Sequence, residues 1–207
     1  GARRVLGDVT VTGNQKVVES FFLRRFEPLK GQPYDEGRAN RIVRRMLRSG
    51  AFSKVELQET PVADSDVLDL AILVEETPAR EIGAYAGIGS WEGYIVGGTF
   101  QHYNLFGAVR RLDTRIEFTS RGMTGDVNVF EPWVFGEKTT LSGGLYAHGR
   151  DNDGYTKFEL GGQVELSYDF NEYTKLSLFS RVSFTDILEH QVVDEELGAT
   201  SYLTHSG

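Results

Sequence analysis

From Arg80 onward apolar and polar residues alternate with a period of two, and that period leaves few folds open to the second half of the chain. Leu112, Thr114, Ile116 and Phe118 alternate with Arg111, Asp113, Arg115 and Glu117. Phe158, Leu160, Gly162, Val164, Leu166, Tyr168 and Phe170 alternate with Lys157, Glu159, Gly161, Gln163, Glu165, Ser167 and Asp169. Successive side chains of a strand point to opposite faces, so each run reads as a strand with one apolar and one polar side. Seven such runs lie near 81–89, 94–103, 110–120, 123–131, 139–148, 155–170 and 173–186, and an eighth is expected near 198.

Two architectures fit this pattern: a soluble antiparallel sheet with one wet face, and part of a transmembrane β-barrel. Three features favour the barrel. Charges of both signs share one face, as a polar lumen requires. Aromatics (Tyr94, Tyr103, Phe118, Tyr146, Tyr155, Tyr168, Phe170 and Phe184) gather towards strand ends, as in interfacial girdles. The runs are also long: globular strands average about 5–6 residues, whereas a tilted bilayer crossing takes about 9–11. The 24 glycines suit curved strands with close backbone contacts. No run of ~18 apolar residues offers a transmembrane helix.

The first half has another rhythm. Val5–Thr12 is β-rich and stops at the Gly13-Asn14 turn signal. Val18, Phe21, Phe22 and Phe26 fall at helical spacing, and Ala39, Ile42, Val43, Met46 and Leu47 mark a second helix, with Asp35 as its N-cap and Gly50 beyond its end. Arg38, Arg41, Arg44, Arg45 and Arg48 form a basic stripe on the other side of that helix, expected to be a solvated face. An alternating strand (52–59) and a more continuously apolar one (67–74) follow, the first expected at a sheet edge and the second in its interior. So small a unit has a thin core and is expected to lean on its neighbours.

The change of period near Pro78 divides the chain into residues 1–78, an α+β unit ordered β-α-α-β-β, and residues 79–207, the N-terminal strands of an incomplete barrel. Charge changes at the same place: residues 1–79 carry 12 basic and 12 acidic side chains, and residues 80–207 carry 10 and 18. That acidic balance argues against a nucleic-acid partner. If the first barrel strand runs outward, Asn104–Val109, Glu131–Lys138 and Asn171-Glu172 turn on the periplasmic side, and the acidic Glu189–Gly198 loop lies outside. An open strand edge in lipid is costly, so the barrel is expected to continue past Gly207.

Enzyme chemistry is not expected. The four histidines have no metal-ligand spacing, and cysteine is absent. Gly87-Ile88-Gly89 reads as a strand end, not a dinucleotide loop, and Asp151-Asn152-Asp153-Gly154 reads as a tight turn, not a calcium loop. No G-x-S-x-G pattern occurs, and no cofactor is expected. Arg115, Glu117, Glu159 and Glu165 are expected to pair across strands in a solvated lumen.

Short motifs in order along the chain resemble the POTRA-plus-barrel outer-membrane assembly superfamily (BamA/TamA-like, bacterial surface antigen family). Gly13-Asn14 is similar to its turn after the first strand, and Gly50, Phe52 and Val55 match its G-x-F-x-x-V segment. Asn104-Leu105-Phe106-Gly107 resembles its N-L-F-G turn, and Glu131-Pro132 its E-P turn. The resemblance implies an outer-membrane assembly and insertion factor with a periplasmic POTRA domain. Its implied partners are unfolded outer-membrane or autotransporter client proteins, outer-membrane lipid, and a periplasmic or inner-membrane protein. A two-partner secretion transporter and the barrel anchor or pore of a fused protein are the alternatives.

Two segments suit the assembly role. The strand carrying Phe52, Val55 and Leu57 is a candidate edge for pairing with client strands. Ile82, Gly83, Ala84, Tyr85, Ala86, Gly87 and Ile88 form a Gly/Ala-rich first barrel strand, a composition that holds register weakly and fits either a lateral seam or simple curvature at closure.

Overall fold

The computed structural model describes residues 4–136, 138–171 and 173–189. A three-stranded sheet is built from β1 (Val5–Thr12), β2 (Phe52–Pro61) and β3 (Val67–Glu76) in the order β1-β3-β2, with β1 parallel and β2 antiparallel to the central β3. Helices α1 (Glu19–Phe26) and α2 (Glu36–Arg48) cover one face. The Asp35 side chain accepts the Arg38 N–H at 3.1 Å to start α2, and Gly50 takes the left-handed conformation beyond its end (φ 77°). Ala39, Ile42, Val43 and Met46 are buried, while Leu47 sits half-exposed at the margin of the stripe.

Leu70, Ile72 and Val74 of β3 point into this core with Phe21, Phe22 and Phe26, and Leu68 is buried on the same face of the strand. The other face of β3 is only half-covered, so the strand is central in its sheet yet buried on one side. A register shift between Phe52 and Lys54 explains how Phe52 and Val55, three residues apart, both reach the core.

The second sheet contains seven antiparallel strands in sequence order: β4 (Arg80–Gly89), β5 (Gly93–Leu105), β6 (Arg110–Thr119), β7 (Gly122–Pro132), β8 (Thr139–Asn152), β9 (Tyr155–Asp169) and β10 (Lys175–Glu189). The alternation places them within a few residues of their true bounds. The expected eighth strand and the acidic loop after Glu189 lie outside the described residues.

Cross-strand register sorts the side chains into two faces. Tyr85, Thr99, Arg115, Asp126, Tyr146, Gln163 and Arg181 lie on the polar face. Ile82, Val96, Ile116, Val127, Leu145, Leu160 and Val182 share the other and are exposed, as lipid-facing residues of a barrel wall are.

Two expectations need correcting. Tyr103 and Tyr146 are not girdle residues: both lie on the polar face, where Tyr146 is buried against Gly161 and Tyr103 packs on the first domain. The lumenal charges pair mostly along strands. Arg115 meets Glu117 at 2.6 Å, Arg111 meets Asp113 at 2.9 Å and Lys157 meets Glu159 at 3.1 Å, because i and i+2 share a face. Lys175–Glu165, at 3.9 Å, is a cross-strand exception.

Candidate functional site

Three places could engage another molecule: the joint between the sheets, the outer edge of β2, and the edge strand β4.

The joint is built from the turns between barrel strands. In the β5–β6 turn, Asn104 Oδ1 accepts the Val109 N–H at 2.9 Å, and both residues are buried. Val109 has φ 58°, a rare conformation for a β-branched residue, and its side chain joins the core of the first domain. Gly107 lies against the chain before α1, where its carbonyl accepts the Val18 N–H at 3.0 Å and a Cβ would meet the Lys16 carbonyl oxygen at 3.0 Å. That chain is fixed in turn by Glu76 at the end of β3, whose Oε1 accepts the N–H groups of Gln15, Lys16 and Val17 at 2.8, 3.0 and 2.9 Å.

The β7–β8 turn adds an aromatic contact. Trp133, also left-handed (φ 63°), meets Phe21 of α1 edge-on with ring centres 5.3 Å apart. The Arg25 guanidinium lies over both rings, 3.3 Å from the Phe21 centre and 4.0 Å from that of Trp133. Beside it, Glu131 pairs with Arg110 across β6 and β7. Tyr103 closes the joint, its ring against the Cα of Gly50 and its N–H donating to the Ala79 carbonyl at 2.9 Å. The small first domain therefore leans on the barrel turns, as its thin core requires.

The two edges of the three-stranded sheet differ. A loop covers β1: Leu6 donates to Gln32, Gly31 donates to Leu6, and Val5 bridges Pro33. The outer edge of β2 has no backbone partner among the described residues. Of the residues singled out there, Phe52 and Val55 are buried in the core and Leu57 packs against it. Their side chains are therefore unavailable, and what β2 presents outward is its backbone.

Strand β4 pairs only with β5 among the described residues. Ile82, Ala84, Ala86 and Ile88 point to the lipid face, with Ile82 and Ile88 strongly exposed, while Gly83, Tyr85 and Gly87 point to the lumen. Tyr85 is the polar anchor of this strand. Its hydroxyl donates to Glu117 Oε2 at 2.7 Å and accepts from Arg115 Nε at 3.0 Å, both two strands away on β6. To reach them the ring lies across Gly97 of β5, where a Cβ would come within 2.3 Å of Tyr85 Cζ. Tyr146 crosses Gly161 in the same manner and donates to Glu159 at 3.1 Å. Sequence reasoning placed Tyr85 in the strand but missed its anchor; a Tyr and a Gly at paired positions on neighbouring strands are the signal. Among the described residues no group of His, Asp and Glu could hold a metal ion.

Comparison with known proteins agrees with this architecture. The POTRA family model, a surface antigen variable number repeat, matches residues 5–77, and the Omp85 superfamily domain matches residues 104–204. The outer membrane protein assembly factor BamA of Neorickettsia risticii is 24% identical over 184 residues, covering 87% of this chain and 25% of that protein. The chain thus spans about a quarter of that relative's length. A crystal structure of BamA from Haemophilus ducreyi lacking POTRA domains 1–3 superposes with a TM-score of 0.72 at 19% identity, over 90% of this chain and 36% of that one. CdiB from Escherichia coli superposes at 0.64 with 13% identity, over 89% and 38%. With its β-α-α-β-β unit docked on the turns of a long antiparallel sheet, the chain is a POTRA domain followed by β-barrel strands that match the Omp85 superfamily domain.

Proposed function

We propose that the protein is an outer-membrane assembly and insertion factor whose POTRA domain stands in the periplasm, and that it offers strand edges to unfolded clients at two levels. In the periplasm, the free backbone of β2 around Phe52–Leu57 adds a client strand by β-augmentation. In the membrane, β4 forms one side of a lateral seam. The observation that carries this reading is the construction of β4: its lumenal face is anchored by Tyr85, while Gly83, Ala84, Ala86 and Gly87 give it little cross-strand side-chain packing. Such a strand keeps its place on β5 yet exchanges partners readily on its other side. The clients are unfolded β-barrel or autotransported proteins, with outer-membrane lipid as the receiving phase.

The test uses the full-length protein in liposomes with a urea-unfolded outer-membrane client. Client folding is read as heat-resistant, protease-protected barrel and is expected to run faster than in empty liposomes. Equal rates would overturn the proposal.

A further inference from the structure

The arginine stripe of α2 is exposed, as its spacing predicts, at Arg41, Arg44 and Arg48, and half-exposed at Arg38 and Arg45. It forms the floor of a cavity of about 1030 Å³ whose roof is the periplasmic mouth of the barrel lumen. Arg38, Arg41 and Arg48 line it from below. Arg111, Lys138 and Lys175 line it from the strand ends, against a single described carboxylate, Asp169. The three rim cations are engaged: Arg111 with Asp113, Lys138 with the Phe170 carbonyl at 3.2 Å, and Lys175 with Glu165. Arg38, Arg41 and Arg48 make no side-chain hydrogen bond or ion pair among the described residues.

From this geometry we infer that the vestibule is a binding site for an acidic polypeptide segment arriving from the periplasm. Guanidinium groups spaced along one helix face bind a row of carboxylates, each through paired N–H donors. The volume is at the upper end for small-molecule pockets and admits several side chains of an extended segment. The barrel wall separates the site from lipid: Arg111, Phe130, Thr140 and Lys175 point in, while Leu112, Val129, Leu141 and Leu176 on the same strands point out. A membrane headgroup would have to leave its leaflet to reach it. This inference does not depend on the strand-edge reading, and its test measures binding alone.

The test uses full-length protein in nanodiscs of zwitterionic lipid and a fluorescein-labelled peptide containing six glutamates, followed by anisotropy. Its glutamine counterpart is the control. Saturable binding of the glutamate peptide alone, weakened by salt, is expected. In the R38Q/R41Q/R48Q variant it should fall about tenfold, the combined worth of three partly exposed ion pairs. A K-for-R triple variant should keep more of it than the Gln variant, and both must retain the heat-modifiable mobility of the folded barrel. Equal affinity in the Gln variant, or no binding at all, overturns the inference. So does loss of peptide binding in discs containing phosphatidylglycerol, which would assign the cavity to a lipid headgroup.

Discussion

Asn104 Oδ1 accepts the backbone N–H of Val109 at 2.9 Å, holding a β-branched residue in a left-handed conformation inside the core of a neighbouring domain. Such a conformation costs about 1–3 kcal/mol and persists only where surroundings over-determine it. Here the buried amide and the valine side chain together enforce the turn. Asn104→Ala leaves that N–H without a partner, a loss of about 1–3 kcal/mol. Hydrogen exchange at the Val109 amide should lose its protection; unchanged protection would mean that the turn stands without the asparagine.

Trp133 and Phe21 join the domains through rings on either side of the Arg25 guanidinium. Trp133→Ala removes one side of that contact and should loosen the POTRA domain without unfolding it. Spin labels on α2 and on the β8–β9 hairpin should give one narrow distance distribution in the parent and a broad one in the variant. Narrow distributions in both would place the rigidity elsewhere in the joint.

Gly97→Ala puts a methyl group where the Tyr85 ring lies, so the ring must swing away from Glu117 and Arg115. The barrel should still form, since ten residue pairs of β4 and β5 remain in register. Tyr85→Phe loses the hydroxyl alone. Both variants should raise the exchange of β4 amides above that of β6, Gly97→Ala more strongly; no change in β4 exchange would remove Tyr85 as its anchor.

In the POTRA domain, Tyr34 donates to Glu59 Oε1 on β2 at 2.6 Å, and burial together with that carboxylate pushes its phenol well above the usual tyrosine range. The sign follows from linkage: a group raised in the folded state gives stability that is complete below the unfolded pKa, near 10, and is lost as pH rises towards the folded value. Tyr34→Phe should cost about 1 kcal/mol at neutral pH and show a smaller loss of stability than the parent above pH ~10. Urea midpoints at pH 7 and 10.5 check both; parallel losses would contradict this assignment.

Much of this architecture can be read from residue order. Alternation locates every described barrel strand because each needs one lipid face and one lumen face, and Asp35 and Gly50 delimit α2 through backbone chemistry that acts locally. The joint is less legible. Nothing in Asn104–Val109 announces a left-handed valine aimed into another domain, since that conformation is imposed by packing across more than eighty residues of sequence. The arginine stripe is exposed as its spacing predicts, but that spacing is the same whether or not strand ends stand opposite it, and only docking decides. Tyr146 resembles an interfacial aromatic until the register sets it over Gly161.

The assembly reading rests most heavily on β4 as one side of a seam that opens. A cysteine at Ala86 in the full-length protein, paired with one on the final barrel strand, allows the seam to be locked by oxidation and released by reduction. Client assembly in liposomes should stop in the locked state and return on reduction, with the barrel folded throughout. Undiminished assembly with the seam locked would contradict the account.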